Sequence, residues 1–144
     1  MVAEHELGEI VISLPGIGTT LAAEFLAHAG TPTTYPSAAA LAAHAGLAPI
    51  SRDSGRRQGH QIRPYRYHRG LRRVFSMPSF TALTHCPRSR AYYDKKRAEG
   101  KTHRQATAAL SRQRLNVLWV CIRDKTPYQP KQPRSAEVAL CELA

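Results

Sequence analysis

Leu7, Ile10, Val11 and Leu14 stand at i, i+3, i+4 and i+7, the spacing that places four apolar side chains on one face of a helix. Helical spacing recurs along the 144-residue chain, each time broken by Gly or Pro, and it predicts an all-α fold of about six helices. The first helix stops at Pro15-Gly16-Ile17-Gly18. Thr19 or Thr20 then caps a second, with Leu21, Ala22, Phe25, Leu26 and Ala29 as its buried stripe. Ser37 is the expected cap of a third, alanine-rich helix ending near Gly46. From Leu47 to about Pro64 the periodicity disappears, which predicts one long arginine-rich loop or irregular hairpin. A fourth helix is expected over about 67–84, burying Leu71, Val74 and Phe75, with Pro78 kinking or splitting it. A fifth opens at Pro87 and ends near Glu99. A sixth runs from Thr102 to Arg123, with Leu110, Val117, Leu118 and Cys121 inward and Arg104, Arg112 and Arg123 outward. Pro127, Pro130 and Pro133 mark the C-terminal stretch as a flexible tail, so the expected division is a domain over 1–128 and a tail over 129–144.

Charge supplies the first functional constraint. The net charge of +11 is segregated: residues 1–50 hold four acids and no Lys or Arg, whereas residues 51–73 hold eight arginines against Asp53 alone. Residues 88–125 add eleven bases against three acids. A polyanion-binding face needs such concentration, because each neutralised phosphate releases condensed counterions. Arg outnumbers Lys in the central stretch, and its planar fork grips phosphate bidentately. An acidic partner protein or a membrane surface has less support. No apolar run reaches the roughly 18 residues of a membrane span, and the acidic N-terminus is unlike a signal or transit peptide. Three widely spaced cysteines (86, 121 and 141) argue against a disulfide framework and for a reducing cytoplasm. The seven histidines never pair with cysteines at zinc-ligand spacing, so no metal site is expected.

Two motifs carry chemistry. Leu14-Pro15-Gly16-Ile17-Gly18, between two short helices, has the form of a helix-hairpin-helix over about 7–29. In such a turn Gly16 and Gly18 let the main chain approach a phosphate closely, and the N–H groups opening the next helix point at it. A tight turn between packed helices would favour the same residues. The second motif is the stretch 46–59, in which Ser54-Gly55 sits among arginines. A serine hydroxyl needs a base or stabilising cations to act as a nucleophile, and guanidinium groups supply charge neutralisation in phosphoryl transfer. An ordinary turn hydrogen bond is the plainer role for such a serine. Tyr65, Tyr67, Tyr92 and Tyr93 are candidates for stacking bases, or for packing on helices and Arg stems.

Together Leu14–Gly18, Gly46-Leu47-Ala48-Pro49 with Arg52-Asp53-Ser54-Gly55, Arg63-Pro64-Tyr65-Arg66-Tyr67, Leu71-Arg72-Arg73-Val74-Phe75, Lys96-Arg97-Ala98-Glu99-Gly100-Lys101 and Leu115-Asn116-Val117-Leu118-Trp119 resemble the insertion-sequence 110/116/902 transposase family. The resemblance covers about residues 7–128 and matches the family's C-terminal, serine-bearing domain. It implies a DNA recombinase guided by a structured RNA and assembling as a homo-oligomer, with Ser54 as the nucleophile and Ser51 as the fallback three residues away. Arg52, Arg56, Arg57, Arg63 and Arg66 would contact DNA or guide RNA. The family's RuvC-like domain, whose four acids would bind Mg2+, has no counterpart here, and Pro78 falls where relatives continue a helix. The short start before the hairpin points to a truncated reading frame or a decayed copy, and the chain alone is expected to be inactive. A non-catalytic nucleic-acid-binding module and an inert remnant are the alternatives.

Overall fold

A computed structural model describes residues 5–31, 34–56, 59 and 61–130. The described residues form six helices and one small hairpin, an essentially all-α architecture: α1 (Gly8–Ser13), α2 (Thr19–Ala29), α3 (Ala38–His44), β1 (Ile50–Ser51), β2 (Gln61–Ile62), α4 (Arg69–His85), α5 (Pro87–Ala98) and α6 (His103–Arg123). α4 is the central element and packs against α2, α5 and α6. Phe25 of α2 meets Phe75 of α4 edge to face, with ring centroids 5.8 Å apart, at the heart of a core that also takes Val11, Leu41, Leu71, Val74, Leu115 and Leu118.

The helix ends reflect local chemistry. Ser37 caps α3 by accepting from the Ala40 amide, as its position predicts. Thr102 opens α6 in a reciprocal capping box with Gln105. α2 differs from expectation: its N-cap is Gly18, with no side-chain cap, and both Thr19 and Thr20 lie inside the helix. α4 begins behind His68, whose Nδ1 accepts the Leu71 amide 3.2 Å away. Pro78 does not split α4, which runs unbroken from Arg69 to His85. The ring is buried, and the Ser79 hydroxyl next to it donates to Phe75 O at 2.7 Å. Ser111 Oγ of α6 lies 3.0 Å from Ser79 Oγ, so this polar pair is satisfied within the α4–α6 interface.

The aperiodic stretch is an irregular hairpin. β1 and β2 pair antiparallel, Ile50 with Ile62 and Ser51 with Gln61, and residues 52–56 lead from β1 towards the tip. Cys86 and Cys121 are free thiols, and Cys141 lies outside the described residues. After α6 the chain returns to α1, where the Tyr128 amide donates to Ser13 Oγ at 2.7 Å. The expected tail lies outside the described residues from residue 131 onward. Among the described residues no helix is long and apolar enough to cross a membrane.

Candidate nucleic-acid interface

Ser54 is exposed near the tip of the β1–β2 hairpin, between Arg52 and Arg56, which are exposed as well. Among the described residues its hydroxyl makes no hydrogen bond. Its neighbour Asp53 accepts the Gly59 amide through Oδ1 at 2.8 Å, a contact that closes the tip on itself. Gly55 has φ +48°, and a side chain built there would meet nothing within 4 Å, so the backbone beside Ser54 is open. Ser51, the fallback, is exposed in β1. Arg57 lies outside the described residues. Arg66 is exposed in the segment leading into α4.

Arg63 leaves the hairpin's base, and its guanidinium sits 4.5 Å from the centroid of the Tyr67 ring. Arg72 approaches the same ring at 5.3 Å, and its Nη1 donates to Gly46 O. Tyr67 therefore packs beneath two guanidinium groups. Arg63 and Arg72 belong to one wall of a groove of about 580 Å³ lying between the hairpin base and the α5–α6 turn. The opposite wall brings Lys96, Lys101, Arg104 and Arg112, so six cations converge there from segments far apart in sequence. Among the described ion pairs only Lys96 of this group has a carboxylate, that of Glu99 at 3.0 Å. Burial holds the Arg72 guanidinium below the ordinary arginine pKa, and the nearby charges of Arg63 and Arg104 act in the same direction.

Gly16 and Gly18 stand elsewhere, in the α1–α2 turn. Gly16 has φ +86°, and a Cβ there would lie 3.1 Å from Pro78 Cβ, so packing against α4 already requires glycine. Gly18 meets nothing within 4 Å, which leaves the uncapped start of α2 accessible. Arg114, 7% exposed, braces this turn from α6 by donating Nη2 to Pro15 O.

The sequence singles out Arg52, Arg56, Arg57, Arg63 and Arg66 as candidate contacts, whereas it does not single out Arg72, Lys96 and Lys101. Arg104 and Arg112 were legible only as an outward stripe on α6, and the third member of that stripe, Arg123, instead pairs with Asp124. The described acids do not fit a Mg2+ site. Asp94, Glu99 and Asp124 are each paired with a cation on their own segment, and no group of three or more described His, Cys, Asp or Glu side chains is placed to hold a metal.

The sequence profile described as "Transposase IS116/IS110/IS902 family" matches residues 8–94, more than half of the chain and the whole of the hairpin. The "Insertion element IS116 uncharacterized 44.8 kDa protein" of Streptomyces clavuligerus is 50% identical over 125 residues, covering 87% of this chain and 31% of that protein. The "Insertion element IS900 uncharacterized 42 kDa protein" of Mycobacterium paratuberculosis is 48% identical over 92% of this chain and 33% of its own length. The "Insertion element IS110 uncharacterized 43.6 kDa protein" of Streptomyces coelicolor is 41% identical over 94% and 33%. The chain thus spans about one third of the length of these curated relatives. With the family profile running from α1 into α5, the chain belongs to the transposase IS116/IS110/IS902 family.

Proposed function

We propose that this chain is the serine-bearing, nucleic-acid-binding domain of a transposase, acting on DNA in the cytoplasm within an RNA-guided, oligomeric complex. The observation that carries the reading is the family match across a hairpin that exposes Ser54 between arginines. In the proposed step Ser54 Oγ attacks a DNA phosphorus. A P–Oγ bond forms, one P–O bond to a sugar breaks, and the departing sugar oxygen takes a proton while the serine hydroxyl loses one. Arg52 and Arg56 flank the hydroxyl in sequence, and they would neutralise charge as it develops on the phosphate. The α1–α2 turn, read as a helix-hairpin-helix, would hold a DNA backbone through the open start of α2 at Gly18. The Mg2+ of the family's four-acid domain would be held by residues other than the described ones.

A second reading has an observation of its own. Six cations line a groove that does not include Ser54, an arrangement that suits a module that binds nucleic acid and performs no chemistry. One experiment separates the two. The chain is mixed with DNA and guide RNA, with and without the four-acid domain of a relative, and products are resolved on a denaturing gel. Protein-linked DNA that disappears in Ser54→Ala establishes the nucleophile. Binding without adduct, beside an intact relative that does react, leaves the binding module.

A further inference from the structure

The groove between the hairpin base and the α5–α6 turn has two chemistries in one concavity. Its cations come from both walls, and between them Leu47, Pro49, Ile62, Ala108 and Ala109 form an apolar lining. The half-buried ring of Tyr92 adds a flat face. A purely electrostatic surface for a double helix needs no such lining, since phosphate contacts alone fix register and orientation. A volume of about 580 Å³ falls among pockets that enclose one small organic molecule. It is room for a nucleotide or so, not for a duplex.

The guanidinium groups are already oriented. Arg72 is fixed by its bond to Gly46 O and its position over Tyr67, and Arg112 Nε donates to Asn116 Oδ1 at 3.2 Å. Each keeps further N–H donors for an anion. Arg104 is exposed at the rim, in the first turn of α6. Arg63, Arg72, Lys101, Arg104 and Arg112 take part in none of the described ion pairs, so an incoming phosphate would displace none of the carboxylates in those pairs.

We propose that this groove takes an unpaired nucleotide of a nucleic-acid strand, its phosphate held by Arg72, Arg104 and Arg112 and its base laid against the apolar lining and Tyr92. The site rests on the proposed nucleic-acid-binding function and narrows it. Because the base of the Ser54 hairpin forms one wall, a strand seated here is anchored to the element that carries the serine. Unpaired bases suit such a site, because stacking on aromatic and apolar side chains is open to them and closed to bases inside a helix.

The test is fluorescence anisotropy of the whole chain with three labelled probes of about 20 nucleotides, a length that exceeds typical single-strand site sizes. They are oligo-dT, oligo-rU and a mixed-sequence DNA duplex. Arg104→Glu changes an exposed residue and leaves the core intact, and Lys101→Gln is a second, milder variant; thermal melts confirm that both fold. Arg104→Glu is expected to weaken single-strand binding by about tenfold or more, the size of one lost charge-assisted contact, with Lys101→Gln weaker in the same sense. Duplex affinity should change by less than about threefold, as expected of a screened rim charge. Preference for dT or rU identifies the strand as DNA or RNA. Equal loss on all three probes, or no loss on the single strands, overturns the groove assignment while nucleic-acid binding stands. If the unaltered chain binds none of the probes at low salt, the nucleic-acid function itself fails.

Discussion

Gly46 stands at φ +69°, and a Cβ built there would lie 2.5 Å from Tyr67 Cγ and 2.7 Å from Tyr67 Cβ. Those atoms are the root of the side chain and cannot swing away. Its carbonyl also receives Arg72, so one glycine sets the height of Tyr67 and the position of a groove cation. Gly46→Ala should therefore cost about 2–4 kcal/mol, from the left-handed backbone and the overpacking together, read as a lower urea midpoint with unchanged slope. Gly18 makes the opposite case. It has φ −85° and ψ −178° at the N-cap of α2, with open space around it. Gly18→Ser supplies the missing cap and should raise stability by a few tenths of a kcal/mol. If that opening holds a phosphate, the same change should weaken duplex binding. Serine at Gly18 leaving duplex affinity untouched would argue against this contact.

At the scale of elements, the start of α4 depends on a neutral imidazole. His68 Nδ1 accepts the Leu71 amide, and His28 and His44 crowd its ring at 4.7 and 5.4 Å. Burial lowers the His68 pKa first, and the neighbouring His28 and His44 lower it further. Above the ordinary histidine pKa of about 6.5 the group is neutral folded and unfolded, and its contribution is fully present. As pH falls below that value the unfolded chain takes the proton first, so stability declines until the folded pKa is passed. Melting temperature should drop between about pH 7 and pH 5.5, and His68→Asn, which keeps a cap acceptor and does not titrate, should flatten that drop. The α1–α2 turn has its own brace in Arg114, which is buried and bonded to Pro15 O. Arg114→Leu is expected to cost about 1.5–3 kcal/mol, the range for hydrogen bonds made by charged groups. Amide exchange should then quicken at Ile17, whose N–H bonds Leu14 O across the turn at 3.1 Å.

Across the whole molecule the charge is divided along the chain, and the fold brings part of it together in the Arg73–Glu24 and Lys125–Glu6 pairs. Glu9 lies in α1 and Glu24 in α2, while the hairpin, α4, α5 and α6 hold the excess cations. Binding of nucleic acid should be steeply salt-dependent, with log K falling against log salt at a slope between about −4 and −8. Ser54→Ala should leave that slope and the affinity unchanged, because a hydroxyl neutralises no phosphate. A slope near zero would show that the cationic face does not meet a polyanion.

Helical periodicity, the Ser37 and Thr102 caps and the Gly and Pro punctuation are local, and each was readable from residues within a few positions of one another. The all-α class and the segregated charge came from such short-range patterns, and the order of motifs carried the family. The unbroken passage of α4 through Pro78 was not readable, because it depends on packing against α2, α5 and α6 and on the Gly16 backbone beneath the ring. Nor was the groove. Arg63, Arg72, Lys96 and Arg104 are scattered over four segments, and only the folding of the hairpin base onto the α5–α6 turn makes them neighbours. The sequence by itself determined which elements form and where along the chain the positive charge is concentrated. The tertiary structure alone decided where the cations meet, because convergence of side chains distant in sequence is a property of packing and not of spacing.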